Sequence, residues 1–425
     1  MLTGLKMQNV YVDDVRFGKT GICCSGAEKI LSFDPKSLIK SLKQDEPRIA
    51  DVRVEIARPG ESTRIICVKD VISPRLRIKQ GSSVARVRAF KNIVVVTCGK
   101  IVAYQEGIID MSGPGADYTP FSKTINIVLD IEVVDGLTRH EHEEVMRSAG
   151  LRVAVMLGEI SSWVERPDEE KNYVFAPHSS KLGHLPRVVY LYMLLSQGLL
   201  HDNYVFCRNA REKDFLPLIV SPPDVLYGAI VSGNCVSACD KTVTWLHQNN
   251  PVVLELLKRH GKDLNFVGVV LTNELTDLAG KKASAQKAIE LVKKLGAERV
   301  VITEEGFGNP EADLMMLIRG LEQAGIKTVA ITDEYAGSDG ASQSLADTTP
   351  EAKMIISVGN ANELIVLPPM EKIIGPIQDL TKLAGAYPQS LREDGSLEIE
   401  LQGIIGATNQ LGWSKLTCKE VQKWA

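Results

Sequence analysis

Between residues 265 and 358 the chain alternates apolar runs with helical stripes, and nothing else in it constrains the fold as strongly. Residues 267–272 form an apolar run suited to a buried parallel strand. Ala285, Ala288, Ile289 and Val292 follow at helical spacing, and Gly296 stands where a C-cap belongs. Residues 299–303 read as the next strand. Asn309 then offers an N-cap, Pro310 the first helical position and Glu311 a first-turn acid. Leu314, Leu317, Ile318 and Leu321 make one apolar stripe, closed by Gly325. Residues 328–332, 354–358 and 363–367 read as third, fourth and fifth strands. Strand–helix–strand order at a spacing of about 30 residues builds parallel βαβ units. The fold class is therefore α/β: a β-rich, mixed N-terminal half followed by a parallel-sheet, flavodoxin-like C-terminal domain.

The first 110 residues read as strands, over 10–12, 52–56, 64–68 and 93–97. Turn chemistry separates them at Pro59-Gly60, Gly81-Ser82-Ser83 and Gly99. Residues 110–123, rich in Gly, Ser, Pro and Asp, read as a long loop. Its end, Tyr118 to Lys123, could contact a small carboxylate or be plain turn structure. Thr138 is placed to cap a helix through Glu141, Glu144 and Met146, ending near Gly150. Residues 188–195 and 217–220 read as strands. A chain of 425 residues exceeds one ordinary core. The natural division is 1–125 (β-rich domain), 126–234 (mixed segment) and 235–425 (parallel-sheet domain).

A net charge of −4 gives no basic surface suited to nucleic acid. The longest clean apolar run, 188–195, falls far short of the roughly 20 residues of a membrane span. The first residues lack the apolar stretch of a signal peptide, so the expected location is the cytoplasm. Eight scattered cysteines make a disulfide framework improbable, and buried apolar packing is the expectation for most of them.

Ligands of open parallel sheets bind beyond the carboxyl ends of the strands. Three loops lie there: Asn273-Glu274, residues 304–309 and residues 333–344, the second of them within Glu304-Glu-Gly-Phe-Gly-Asn-Pro310. Glu305, Gly306 and Asn309 mark it either as a cradle for a carboxylate or phosphate or as an ordinary tight turn before a helix. Neither a dinucleotide fingerprint nor a P-loop is present. Ser232-Gly233-Asn234-Cys235 carries a second chemistry. The Cys235 thiolate can attack the Asn234 carbonyl, converting the amide to a thioester. This step is uphill unless the backbone is held strained, and Gly233 permits such a geometry. Elimination then expels sulfur from Cys235, and the resulting dehydroalanine tautomerises and hydrolyses to a pyruvoyl group. The same residues also fit a turn followed by a buried cysteine. Cys235 and Cys239, even with His247, lack the ligand spacing of a zinc site, so no metal is expected. His140 and His142 fall on a predicted helix and read as two solvated histidines.

Taken together, several stretches resemble the component B proproteins of the glycine, sarcosine and betaine reductases. They are Gly107 to Gly113, Gly198-Leu-Leu-His-Asp202, Gly228 to Asp240, His247-Gln-Asn-Asn-Pro251, Glu304 to Pro310, Asp333-Glu-Tyr-Ala-Gly337, Ser390 to Gly395 and Gly406-Ala-Thr-Asn409. The resemblance implies cleavage between Asn234 and Cys235, with Cys235 becoming the pyruvoyl cofactor. Ser232, Gly233, Cys239, His201 and His247 are candidate site residues beside it or within the matching stretches. The resemblance further implies reductive deamination of a small amino acid and acetyl phosphate formation by component C. It names as partners a selenoprotein subunit of component B and the selenoprotein component A, because this chain holds no selenocysteine. A D-proline reductase-like proprotein and a non-catalytic carboxylate-binding scaffold are the alternatives.

Overall fold

The computed structural model describes residues 1–25, 28–81, 83–102, 106–198, 202–233 and 242–411, without the side chains of 23–25, 79 and 80. Among these residues the architecture is mixed α/β, with three main sheets. The first runs Glu169–Val174, Gly4–Val10, Val84–Phe90, Arg75–Gln80. The second runs Gly107–Asp110, Thr63–Ile72, Ile93–Cys98, Ile125–Val133, Ile49–Ala57, and Lys372–Ile374 adds to Thr63–Ile72. The segment 114–123 holds two short 3-10 turns, Pro114–Tyr118 and Pro120–Lys123, in place of an irregular loop.

The helix Arg139–Ile160 starts as expected. Thr138 and Glu141 form a reciprocal capping box. Val145, Met146, Ala149, Val153 and Leu157 recur every three or four residues and face the second sheet through Ile93, Val95, Ile127 and Leu129. The helix does not stop at Gly150. An added Cβ there would lie 2.7 Å from Thr97 Cγ2, so this glycine serves close packing rather than termination. His140 is exposed, but His142 is buried, correcting the expectation of two solvated histidines. Burial, with Lys69 and Lys100 nearby, lowers its pKa to about 4.

The third sheet runs Leu218–Val220, Asn265–Glu274, Arg187–Leu195, Arg299–Thr303, Lys327–Glu334, Ile355–Asn360. The first of these is antiparallel to its neighbour and the other five are mutually parallel. Its middle strand comes from ahead of residue 234, so a division of the chain at 234 runs through this layer. That strand is buried from Val188 to Leu195, and its period of two separates two cores. Val189, Leu191 and Met193 join the core formed with the helices Leu278–Lys294 and Asn309–Gln323. Val188, Tyr190, Tyr192 and Leu194 face the opposite core, which includes the helix Pro251–Arg259. The helix after residue 308 is capped by Gly308, one residue before the expected Asn309.

The expected fifth strand does not join this sheet. Leu364–Leu367 pairs antiparallel with Leu397–Glu400 in a separate ladder. Leu364 and Val366 are exposed while Leu367 is buried, a one-sided alternation that suits such a ladder better than a strand covered on both faces. Cys67 and Cys98 are buried as expected, but Cys207 is exposed.

Candidate active site

The site forms where strand ends of the parallel sheet meet residues from both sides of the segment 234–241. Asn234, Cys235 and Cys239 lie outside the described residues, as does His201. Their neighbours Ser232, Gly233, Thr242 and His247 are described and buried.

Glu305 organises this place. It lies two residues past the strand Arg299–Thr303, and Gly306 (φ +89°) turns the chain behind it. A Cβ on Gly306 would meet Pro310 Cγ at 2.8 Å and Leu195 Cδ1 at 3.0 Å, so glycine lets the turn press against the neighbouring strand end. Glu305 Oε2 accepts from the Leu195 amide at 2.8 Å and from Asn203 Nδ2. Its Oε1 accepts from the Thr242 amide at 2.9 Å and lies 3.7 Å from His247 Nε2. Three N–H donors converging on one buried carboxyl favour its ionised form.

His247 sits on the short buried helix Thr244–Gln248. Its Nδ1 is 2.7 Å from the Tyr192 hydroxyl. Burial, followed by Tyr190 and Glu305, holds the Tyr192 pKa well above its usual value, while hydrogen bonds from Thr242 and Asn250 act the other way. Tyr192 therefore keeps its proton. With those neighbours donating to its oxygen, its O–H points at His247 Nδ1. This selects the tautomer with hydrogen on Nε2, facing Glu305.

Two more carboxyls flank Glu305. Glu274 ends its strand; its Oε1 accepts from the Glu305 amide at 3.2 Å and its Oε2 has no partner among the described residues. Burial, then Glu305, Glu304 and Asp313, raise its pKa well above the usual range. Glu304 accepts from Thr332 Oγ1 at 2.5 Å, and burial pushes its pKa up to about 8. The site thus holds protons on two carboxyls beside a third built to be an anion. That charge pattern does not suit the anion cradle considered for the 304–309 loop. Asn309 is exposed, away from this cluster.

The second sheet contributes Asp70. Its carboxylate accepts from the Thr244 amide at 2.9 Å and Thr244 Oγ1 at 2.6 Å, and Thr244 Oγ1 accepts from the Ser232 amide at 3.0 Å. Asn409 Nδ2 reaches Thr242 Oγ1 at 3.5 Å. Glu305, His247, Ser232 and Gly233 therefore come together, whereas Asn309 stays apart. Sequence reasoning placed Asn273-Glu274 at the ligand side of the sheet but missed Tyr192, Asp70, Thr242, Thr244 and Asn203. The one available signal was tyrosine at alternate positions of an otherwise apolar strand. No group of three or more potential metal ligands occurs among the described residues.

Comparison with known proteins agrees with the resemblance. A family model described as glycine/sarcosine/betaine reductase component B subunits matches residues 3–419. The chain belongs to this family. It is 47% identical to the glycine reductase complex component B subunits alpha and beta of Peptoclostridium acidaminophilum, over 98% of this chain and 99% of that one. The sarcosine reductase complex component B subunit alpha of the same organism is 44% identical over the same shares. A D-proline reductase proprotein of Acetoanaerobium sticklandii is 24% identical over 34% of this chain and 24% of its own. No solved structure matches.

Proposed function

We propose that this chain is the substrate-activating component of a glycine- or sarcosine-type reductase, and that it cleaves itself between Asn234 and Cys235. The supporting observation is geometric. One carboxylate, Glu305, binds the amide of Thr242 and faces His247, so an acid–base relay borders the segment that holds Cys235. The relative's name counts two subunits, alpha and beta, and this chain spans 99% of its length, which fits a precursor that supplies both.

The cofactor would be a pyruvoyl group derived from Cys235, which supplies an electrophilic carbonyl that no standard side chain offers. The residues around it fit that group. The flanking amides of Ser232 and Thr242 are held by buried side chains, and Asn203 Oδ1 is buried without a partner among the described residues. During cleavage, Glu305 takes up the proton released as the Cys235 thiol becomes a nucleophile, while the Nε2–H of His247 faces that carboxylate and Tyr192 keeps the imidazole oriented. In the reaction on substrate, the same carboxylate removes a proton from the amine nitrogen, and the buried surroundings exclude water. Identities of 47% and 44% to the glycine and sarcosine reductase components, against 32% to a betaine reductase component, favour glycine or sarcosine as substrate. The full-length similarity to component B, against a short one to the D-proline reductase proprotein, disfavours proline.

The selenol would come from partners, a selenoprotein subunit of component B and component A, with component C forming acetyl phosphate. We place the complex in the cytoplasm; among the described residues no helix is long and apolar enough to cross a membrane. The parallel layer reads as flavodoxin-like. Numbered along the chain, its parallel strands lie in the order 2-1-3-4-5, and Glu305 bridges strands 1 and 3, where the winding reverses.

Intact-mass analysis of natively expressed protein tests the proposal. It should show fragments 1–234 and 235–425, the second with a blocked N-terminus that reacts with phenylhydrazine. The Cys235→Ala variant should remain one chain. A single uncleaved chain with an unmodified cysteine at 235 would refute the reading. Two fragments with no carbonyl reactivity would instead favour the scaffold alternative.

A further inference from the structure

A cavity of about 740 Å³ opens behind the Thr244–Gln248 helix, lined by Arg75, Arg77, Arg147, Tyr204, Tyr227 and Leu151 among others. We propose that it binds a carboxylate carried on an apolar stem, held by Arg75 and Arg77.

The charges around the cavity leave these two arginines over. Arg147 is engaged by Glu143 at 2.8 Å and lies over the Tyr204 ring at 3.9 Å. Glu144, also in the wall, pairs with Arg48 at 2.9 Å. Asp224 accepts from the Leu2 amide at 3.2 Å and from Ser221 Oγ at 2.7 Å. Arg75 and Arg77 have no carboxylate partner among the described residues. They stand two apart on one strand and so share a face.

Arg75 is 4% exposed. Only its Nη1 finds acceptors, the Leu226 carbonyl at 3.0 Å and the Gln248 carbonyl at 3.5 Å, while its Nε is buried and unpartnered. Burial, followed by repulsion from Arg77, lowers its pKa to about 9. A buried guanidinium beside a like charge is costly unless an anion joins them. The unbonded Nε side of the Arg75 fork matches a carboxylate held side-on. Arg77 is exposed and donates to the Gly228 carbonyl at 3.3 Å, so it stands at the mouth with Arg75 at the base. Leu2, Leu151, Ala154 and Val155 give the wall an apolar stretch. The volume is in the range of pockets that hold molecules far larger than acetate. An apolar body on the acid would fill that space.

Titration calorimetry on the full chain with hexanoate, acetate and hexylamine tests this. Hexanoate should bind saturably and more tightly than acetate, and hexylamine should not bind. Arg77→Gln should weaken hexanoate by about tenfold or more. Arg75→Lys, which keeps the charge but loses the fork, should weaken it as well. Circular dichroism verifies that both variants are folded, and Arg77, being exposed, gives the safer variant. Cys235→Ala should bind as the wild type does, because the site does not depend on the carbonyl chemistry. Unchanged affinity in both arginine variants, binding of hexylamine as strong as that of hexanoate, or loss of binding in Cys235→Ala would each overturn the assignment.

Discussion

Glu304→Gln isolates one proton in the buried carboxyl cluster. The folded chain holds the Glu304 carboxyl at a pKa of about 8 against 4.5 for a free one, chiefly because burial disfavours its charge. Between pH 4.5 and about 8 the folded state therefore keeps a proton that the unfolded chain has released. A raised folded-state pKa means stability is fully present below pH 4.5 and is lost as pH rises toward 8. The slope is about 1.4 kcal/mol per pH unit, which amounts to about 5 kcal/mol over the whole window. Glutamine keeps an oxygen for Thr332 Oγ1, now 2.5 Å from Glu304, and has no proton to lose. Its cost, one buried amide with an unmet donor, is about 1–3 kcal/mol and does not change with pH. Urea unfolding at intervals from pH 5 to 8.5, in the Cys235→Ala background to keep one chain, measures the difference. The variant should start weaker near pH 5 and gain on the parent by about 1.4 kcal/mol per pH unit until pH 8. Parallel pH profiles would refute the claim that Glu304 is a buried, protonated acid.

Glu305→Gln should be harsher. An amide has one oxygen where three N–H donors now converge on two, so at least one buried donor loses its acceptor. We expect a loss of roughly 3 kcal/mol in the urea midpoint analysis together with slowed cleavage at 234–235; an unshifted midpoint would contradict the donor count. The cleaved fragments should copurify through native chromatography and part only in denaturant. The strand Arg187–Leu195 of the first fragment is hydrogen-bonded on both edges by strands of the second, Asn265–Glu274 and Arg299–Thr303. Separation in native buffer would mean that this sheet does not survive cleavage.

The helices and most strands of the parallel layer were legible because each carries its own period. Thr138 with Glu141, and the stripe Leu314, Leu317, Ile318, Leu321, need no tertiary knowledge to read. Which strand lies in the middle was not legible. Residues 187–195 pair with strands about 80 and 110 positions later, and an apolar run does not announce its neighbours. The site divided in the same way. Glu305 and His247 stood out as polar residues near strand ends and a motif. Asp70 did not, because it sits in a wholly buried strand of the other sheet and acts through Thr244, 174 residues away. Tyr192 was hidden because a tyrosine in an apolar strand reads as packing, and only the fold sets its hydroxyl 2.7 Å from an imidazole.

Glu274, Glu304 and Glu305 crowd one strand edge, and burial penalises every charge placed there. Donor supply decides which of them carries the negative charge. Glu305 receives N–H bonds from Leu195, Asn203 and Thr242. Glu274 takes one from the Glu305 amide, and Glu304 takes one O–H from Thr332. The anion therefore settles on Glu305, and its field helps to keep Glu274 protonated, as the cause of that raised pKa indicates. His247 faces the charged member through Nε2 and a neutral phenol through Nδ1. The two protonated acids act through position as well as through their protons. They leave the negative charge of this trio on the residue that also anchors Thr242.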